Sequence, residues 1–470
     1  MYEKTINTFT EEIPDPYLQA ANTRFGITSL FPFQRLAITN ILEAAEKESD
    51  SPSALQVRDT KPHQVIILPT GAGKSLCFML PALFLPGATL VIFPLLGLIS
   101  DQARRCREAD IGAGILRGGQ SRSEREAVWK GLADGSIKIL LSNPETALSP
   151  AVLPRLKEAA VSHLVIDEMH TVSEWGDTFR PIYLQIGRLP EEACIPVVTA
   201  FTATASEHIL TRIREIIFPH SSPHLIRANP DRPNIAYRVI PSICKDHDIV
   251  RLLSRDIAAN TPATSGPVQR PAIVFCRSRI AAEMTARMLR HRLGEQEIYF
   301  YHAGLEREEK QWVENWFYSS TEGILCATCA YGMGVDKKDI RTVIHRSPPP
   351  SVEAYLQESG RGGRDRKPAE AILLFGPEDR DHLAHIGDSL SAGRYQAMIE
   401  YAEGGSSRGT PRRCRREMLL EMLQAEPEAC FGCDVCNESV QEMPQGQMIL
   451  MNFVRKNRRR YTLREARQIL

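Results

Sequence analysis

Long apolar runs are missing from this sequence: no stretch approaches the ~20 apolar residues that a membrane-crossing helix requires. The N-terminus, Met1-Tyr2-Glu3-Lys4, also lacks the basic-then-apolar pattern of a secretory signal. No membrane partner is expected. The expected location is the cytoplasm, nucleoid-associated in a bacterium, or the nucleus in a eukaryote. Net charge is absent too, because 57 Lys and Arg balance 57 Asp and Glu. Total charge therefore announces no polyanionic partner, and affinity for phosphates has to arise from local fields. Those fields are uneven. Arg408, Arg412, Arg413, Arg415 and Arg416 crowd one segment, and Arg455 to Arg460 another, although either run reads equally well as a solvated surface. A disulfide framework is lacking as well. Of the 11 cysteines, seven are scattered, mostly in apolar runs such as those holding Cys276 and Cys326.

What is present is a chain of ordinary globular composition, 43% apolar and 24% charged. Its 470 residues allow about three domains at ~150 residues each. Two blocks repeat one pattern of short β-branched runs alternating with helical stretches. The first block offers Val65–Leu68, Thr89–Phe93, Ile137–Leu141, His163–Ile166 and Pro196–Thr199. The second offers Ala272–Cys276, Ile298–Tyr301, Gly323–Ala327, Arg341–His345 and Ala371–Phe375. Nearly continuous apolar strands separated by helices predict parallel sheets covered on both faces. Each block is therefore read as a doubly wound α/β domain. The join is expected around Arg227–Pro241, where Asn229-Pro230-Asp231-Arg232-Pro233-Asn234 reads as irregular chain. Ser49–Gln64 and Ala258–Arg270 read as surface loops. Beyond Pro377 the strand pattern gives way to a helical, Cys-containing region.

The segment Leu68-Pro69-Thr70-Gly71-Ala72-Gly73-Lys74-Ser75 follows one of these strands and opens a helix. A phosphate-binding loop needs that context. Thr70, Gly71, Ala72 and Gly73 would bring backbone N–H groups onto the phosphates of ATP, aided by the helix dipole. Lys74 would neutralise β/γ-phosphate charge, and Ser75 would ligate Mg²⁺. The strict pattern wants Gly where Leu68 stands. A second element supports the reading: the strand-like run His163–Ile166 ends in Asp167-Glu168. Asp167 would hold Mg²⁺, directly or through water, and Glu168 would orient and deprotonate the attacking water. A third element is Gln357-Glu358-Ser359-Gly360-Arg361-Gly362-Gly363-Arg364. It sets Arg361 and Arg364 three residues apart, expected on one face of a helical turn. The planar guanidinium fork suits phosphate oxygens. Arginines supplied from the second block would make hydrolysis depend on domain closure.

The order and spacing of these motifs resemble a superfamily-two helicase, and specifically the RecQ family, over roughly residues 15 to 440. Phe25-Gly26 with Phe31-Pro32-Phe33-Gln34 resembles the family's adenine-recognising segment, which implies that Gln34 reads the base. Pro94–Gln102, Ser142–Glu145 and Ala200–Ala205 resemble further motifs of the first motor domain. Cys276–Arg279, Tyr301–Gly304 and Ala330–Lys337 resemble those of the second.

Two features resemble RecQ proteins in particular. Val172–Pro181 is similar to their aromatic-rich loop, which couples DNA engagement to hydrolysis. Trp175 and Phe179 can stack on bases, worth ~1–3 kcal/mol each, and Arg180 can meet a phosphate or stack on a ring. The loop departs from the family pattern at Asp177, where a His is usual, and at Thr178. The second feature is the set Cys414, Cys430, Cys433 and Cys436, spaced Cys-x15-Cys-x2-Cys-x2-Cys. This suits a closed, structural Zn²⁺ site. The family's zinc module carries a matching Cys-Arg-Arg start. Tyr461–Arg467 resembles the opening of a winged-helix domain, so the chain is expected to be either a short form or a truncated one.

The expected architecture is thus α/β, with two tandem RecA-like doubly wound parallel-sheet domains followed by a small helical zinc-binding subdomain. The expected bounds are 1–228 (ATP-binding), 229–380, 381–440 (zinc), and a basic tail at 441–470. The resemblance implies an ATP- and Mg²⁺-dependent 3′–5′ DNA helicase or translocase acting in recombination and repair. Its expected partners are single-stranded and partially duplex DNA. A single-stranded-DNA-binding protein or recombination factor as partner does not follow from the residues. The competing readings are an RNA helicase, or a DNA-stimulated ATPase that switches or remodels without unwinding.

Overall fold

The structure, a computed structural model, describes residues 15–49, 63–69, 72–94, 96–169, 180–202, 207–255, 268–331, 337–404, 412–426, 429–430, 432–441, 444, 447–462 and 465. Two compact units result, with their main boundary between Ala228 and Asn229.

The first unit is built on a parallel sheet. Its strands are β1 (Gln64–Ile67), β2 (Thr89–Ile92), β3 (Ala113–Leu116), β4 (Ile139–Ser142), β5 (His163–Ile166), β6 (Val197–Thr202) and β7 (His224–Arg227). They lie in the order β3-β4-β2-β5-β6-β1-β7. Every residue of β1, β2, β4, β5 and β6 is buried, because helices cover both faces. Helix Pro32–Ser49 and helix Leu76–Ala82 share an apolar cluster of Ile38, Ile41, Leu42, Leu76, Leu80 and Leu85. That packing holds Gln34 beside the loop leaving β1.

The second unit holds β8 (Ile235–Pro241), β9 (Ala272–Phe275), β10 (Ile298–Tyr301), β11 (Ile324–Ala327), β12 (Thr342–His345) and β13 (Ala369–Phe375). Their order is β10-β11-β9-β12-β13-β8, again parallel. Helices Ser389–Glu403 and Arg415–Met422 continue its core. Tyr395, Met398, Tyr401, Met418, Leu419 and Cys433 join Tyr237, Val239 and Leu373 in one apolar cluster. Among the described residues no helix is long and apolar enough to cross a membrane.

Two parallel-sheet α/β units carry the expected fold class, with three additions and one correction. Strands β3, β7 and β8 were not among the expected runs, since each lies at a sheet edge and is only partly buried, so none is a continuous apolar run. Strand β8 corrects the expected join: half of Arg227–Pro241 is regular strand, paired along its whole length with β13. Its side chains alternate between buried Ile235, Tyr237 and Val239 and partly exposed Ala236 and Arg238, a period of two that the flanking prolines obscure.

Candidate functional site

Parallel α/β sheets present their functional loops at the carboxyl ends of the strands. Here β6 lies between β1 and β5 and ties both exits. Leu68 N donates to Thr202 O at 3.0 Å, and Met169 N donates to Phe201 O at 2.9 Å. The chain leaving β1 at Leu68 and the acidic pair after β5 are thereby tied to the carboxyl end of the same sheet. Lys74 Nζ stands 3.0 Å from Glu168 Oε1 and 3.8 Å from Asp167 Oδ1, all three side chains largely buried. Glu168 adopts a left-handed backbone (φ 52°), which costs a non-glycine residue roughly 1–3 kcal/mol. Its N–H donates to Asp167 Oδ1 at 2.9 Å.

Gly73 is required twice over. Its φ is +80°, and a Cβ there would come within 2.6 Å of Gln34 Nε2. Gln34 is buried; its Nε2 donates to Ala72 O at 3.0 Å, and its Oε1 accepts from Phe31 N at 3.0 Å. Both ends of the amide thus brace the loop from the neighbouring helix. The Phe31 and Phe33 rings stack at 5.3 Å alongside. Ser75 caps helix Leu76–Ala82 without using its hydroxyl as a capping acceptor. Hard oxygen donors at Ser75 and Asp167 fit Mg²⁺. Thr70 and Gly71 lie outside the described residues.

Trp175 and Phe179 also lie outside the described residues. Arg180 is described, and it links three of the family-like segments. Its guanidinium donates to Glu145 Oε1 at 3.0 Å and to Pro94 O at 2.5 Å, and it lies 5.2 Å from the Tyr183 ring.

In the second unit the expected helical face for the two arginines is corrected. Helix Val352–Ser359 ends before them, and Gly360 to Arg364 run through consecutive turns, with Gly363 at φ +54°. Gly363 takes a conformation that an α-helix excludes, so the chain does not run helically through to Arg364. Arg361 is buried and Arg364 half-buried. The backbone of this turn is held from afar. Arg232 donates to Gly360 O at 3.1 Å, Gly362 O at 3.2 Å and Gly363 O at 2.8 Å. Asn234 Nδ2 donates to Gly363 O and Lys367 O, both at 2.8 Å. Sequence reasoning saw Arg232 and Asn234 only as irregular chain. The one available signal was two polar side chains beside prolines, just before an alternating run.

The four cysteine sulfurs Cys414, Cys430, Cys433 and Cys436 lie within 4.8 Å of one another, with Cys414 and Cys433 3.9 Å apart. Tetrahedral thiolates around zinc sit about 3.8 Å apart for Zn–S bonds of ≈ 2.3 Å, so the set fits Zn²⁺. Burial alone would push the Cys430 thiol up. Hydrogen bonds from the Gly432 backbone, Cys414, Cys433 and Arg416 outweigh it and bring that thiol below its ordinary value, whereas burial pushes the Cys414 and Cys436 thiols up, so the ligand reading rests on the sulfur geometry. Two arginines of the basic run here are not solvated. Arg415 and Arg416 are 2% and 1% exposed, whereas Arg413 is exposed. Arg415 donates to Asp434 Oδ1 at 3.1 Å and to Tyr401 O at 2.5 Å. Asp434 in turn accepts from Val239 N at 3.0 Å. The cysteine module is thus fastened to edge strand β8 by hydrogen bonds of Asp434, whose carboxylate is held by a core ion pair with Arg415. The tail helix Gln447–Lys456 exposes Met448, Leu450 and Val454; most of the winged-helix-like segment Tyr461–Arg467 lies outside the described residues.

The DEAD/DEAH box helicase model matches residues 31–212, and the Helicase conserved C-terminal domain model matches residues 264–366. The chain is 36% identical over 409 residues to a probable ATP-dependent DNA helicase RecS of Bacillus subtilis, covering 86% of this chain and 76% of that one. It is 34% identical over 386 residues to an ATP-dependent DNA helicase RecQ of Pasteurella multocida, covering 79% of this chain and 57% of that one. The chain thus spans little more than half the length of the Pasteurella protein. The fold is similar to that of the helicase MrfA in its DNA-bound crystal structure, with TM-score 0.60 and 18% identity over 88% of this chain and 62% of that chain. Similarity to the Bacillus protein runs across both sheets and over three quarters of that relative, at an identity that shows common family. The chain belongs to the RecQ family of superfamily-two helicases.

Proposed function

We propose that this protein is an ATP-dependent DNA helicase or translocase that moves 3′ to 5′ on single-stranded DNA and acts in recombination and repair. The observation that carries the reading is Lys74 standing on the Asp167–Glu168 pair at the ends of β1 and β5. An incoming ATP phosphate competes with Glu168 for the Lys74 ammonium. The released carboxylate then orients a water against the γ-phosphorus. As the new P–O bond forms, the bond to the β-phosphate oxygen breaks, ADP leaves, and Glu168 takes the water's proton. Ser75 and Asp167 would hold Mg²⁺, which neutralises the phosphate charge. Arg361 and Arg364 would meet the same phosphates, and Gln34 the adenine base.

The names of the relatives favour DNA over RNA as the track. Trp175 and Phe179 are assigned to stacking on bases, and the grip falls chiefly on phosphates. Affinity should then fall with salt at a slope of about −0.7 per phosphate contacted. Strand displacement on duplexes with a 3′ or a 5′ single-stranded tail tests the reading. ATP-dependent release from the 3′-tailed duplex alone is expected. Hydrolysis without displacement on either substrate would favour a remodelling ATPase, and stronger stimulation by RNA would favour an RNA helicase.

A further inference from the structure

The turn carrying Arg361 and Arg364 owes its shape to a side chain distant in sequence. One guanidinium, that of Arg232, gathers the carbonyls of Gly360, Gly362 and Gly363 within 2.8–3.2 Å. A planar fork donates to the three carbonyls from two nitrogens held in fixed relation, which the single rotating centre of an ammonium does not reproduce. Electrostatics oppose this placement. Burial lowers the pKa of Arg232, and the charges of Arg364 and Arg366 lower it further, against favourable Tyr237 and Asp231. A cation held beside two other cations is tolerated because its hydrogen bonds to the turn repay the repulsion.

Arg232 is anchored in its turn. Buried Arg416 donates to the Asp231 carboxylate, to Arg232 O at 3.2 Å and to Ile235 O at 2.7 Å. Arg416 lies two residues beyond Cys414, on the helix Arg415–Met422 that Cys414 caps. The link to the arginine turn therefore runs from the helix that Cys414 caps, through Arg416, Asp231 and Arg232, all within the second unit.

We propose that Arg232 is a positioning residue for ATP hydrolysis: through the carbonyls of Gly360, Gly362 and Gly363 it aims Arg361 and Arg364, with Arg416 and Asp231 of the cysteine-module contact holding it in place. The proposal rests on the reading of Arg361 and Arg364 as the phosphate-contacting arginines. Misplacing a catalytic group by about 1 Å can cost 10²-fold. Relaxing the turn should therefore lower turnover more than nucleotide affinity, which Lys74 and its loop supply.

The test is DNA-stimulated hydrolysis by the full chain as R232A, R232K, R364A and the R232A/R364A double variant, with zinc content and circular dichroism measured on each. R232A is expected to lower kcat about 10-fold or more while KM for ATP stays within about 2-fold, with zinc and secondary structure retained. R232K should recover only part of the loss. The double variant should be no slower than R364A alone, because both changes disable one unit. Asp231→Asn, which keeps its shape and loses its charge, should lower kcat about 3-fold and serves if R232A does not fold. Normal kcat in R232A (or, failing that, in D231N) beside a dead R364A would overturn the positioning role and leave the arginine reading intact. Additive losses in the double variant would also overturn it. Normal turnover in R364A would instead remove the arginine reading, and the inference with it.

Discussion

Lys74 and Glu168, separated by most of the first sheet in sequence, meet at 3.0 Å, with Asp167 3.8 Å from the same ammonium. One cation shared between two adjacent carboxylates is the arrangement that nucleotide binding has to reset.

Lys74→Ala should therefore abolish DNA-stimulated hydrolysis and weaken nucleotide binding. Glu168→Gln should keep the binding while slowing turnover by about 10²–10⁴-fold, the usual share of a general base. Steady-state hydrolysis with a fluorescent-nucleotide titration separates the two. Near-normal turnover in E168Q would move the base elsewhere.

Gly73→Ala asks a residue with a Cβ to accept φ +80° and a 2.6 Å approach to Gln34 Nε2. Backbone strain of roughly 1–3 kcal/mol and a displaced Gln34–Ala72 bond should follow. Nucleotide affinity should fall by about tenfold or more, since 1.4 kcal/mol is a factor of ten. Unchanged affinity by calorimetry would show that the Gln34 brace is dispensable.

Cys433→Ser removes the most buried of the four sulfurs, next to the Tyr237–Cys433 bridge to β8. Zinc should be released and the module loosened, lowering Tm by at least about 5 °C, since roughly 2–4 °C accompanies each kcal/mol in a unit this size. Metal analysis that still finds one equivalent would contradict the ligand set.

His163 on β5 is fully buried, its Nε2 2.9 Å from Thr199 Oγ1, and burial pushes its pKa from 6.5 down to about 3. Between those values the unfolded chain binds a proton that the native state refuses. Stability therefore rises with pH across this window and is lost as pH falls from 6.5 towards 3, by up to about 1.4 kcal/mol per pH unit. Urea denaturation at pH 7.0, 5.5 and 4.5 should show this slope, and His163→Asn should be shallower. Parallel slopes would assign the acid sensitivity to other groups.

The sequence by itself determined those features whose chemistry needs neighbouring residues. A phosphate loop, an acidic pair at a strand end and clustered cysteines are local devices, so Lys74, Glu168 and Cys433 were legible without coordinates. Buried parallel strands were legible too, because continuous apolar runs follow directly from coverage on both faces. Edge strands such as β8 were not, since one exposed face dilutes the signal. Tertiary structure alone decided which distant side chains complete the local devices. Gln34 braces Ala72, and Arg232 gathers the carbonyls of a turn 128 or more residues away. It likewise decided that Arg415 and Arg416 are core residues and not solvated charge. The physical reason is that a guanidinium's environment depends on which carbonyls and carboxylates the topology carries to it, and residue type and spacing along the chain do not encode that.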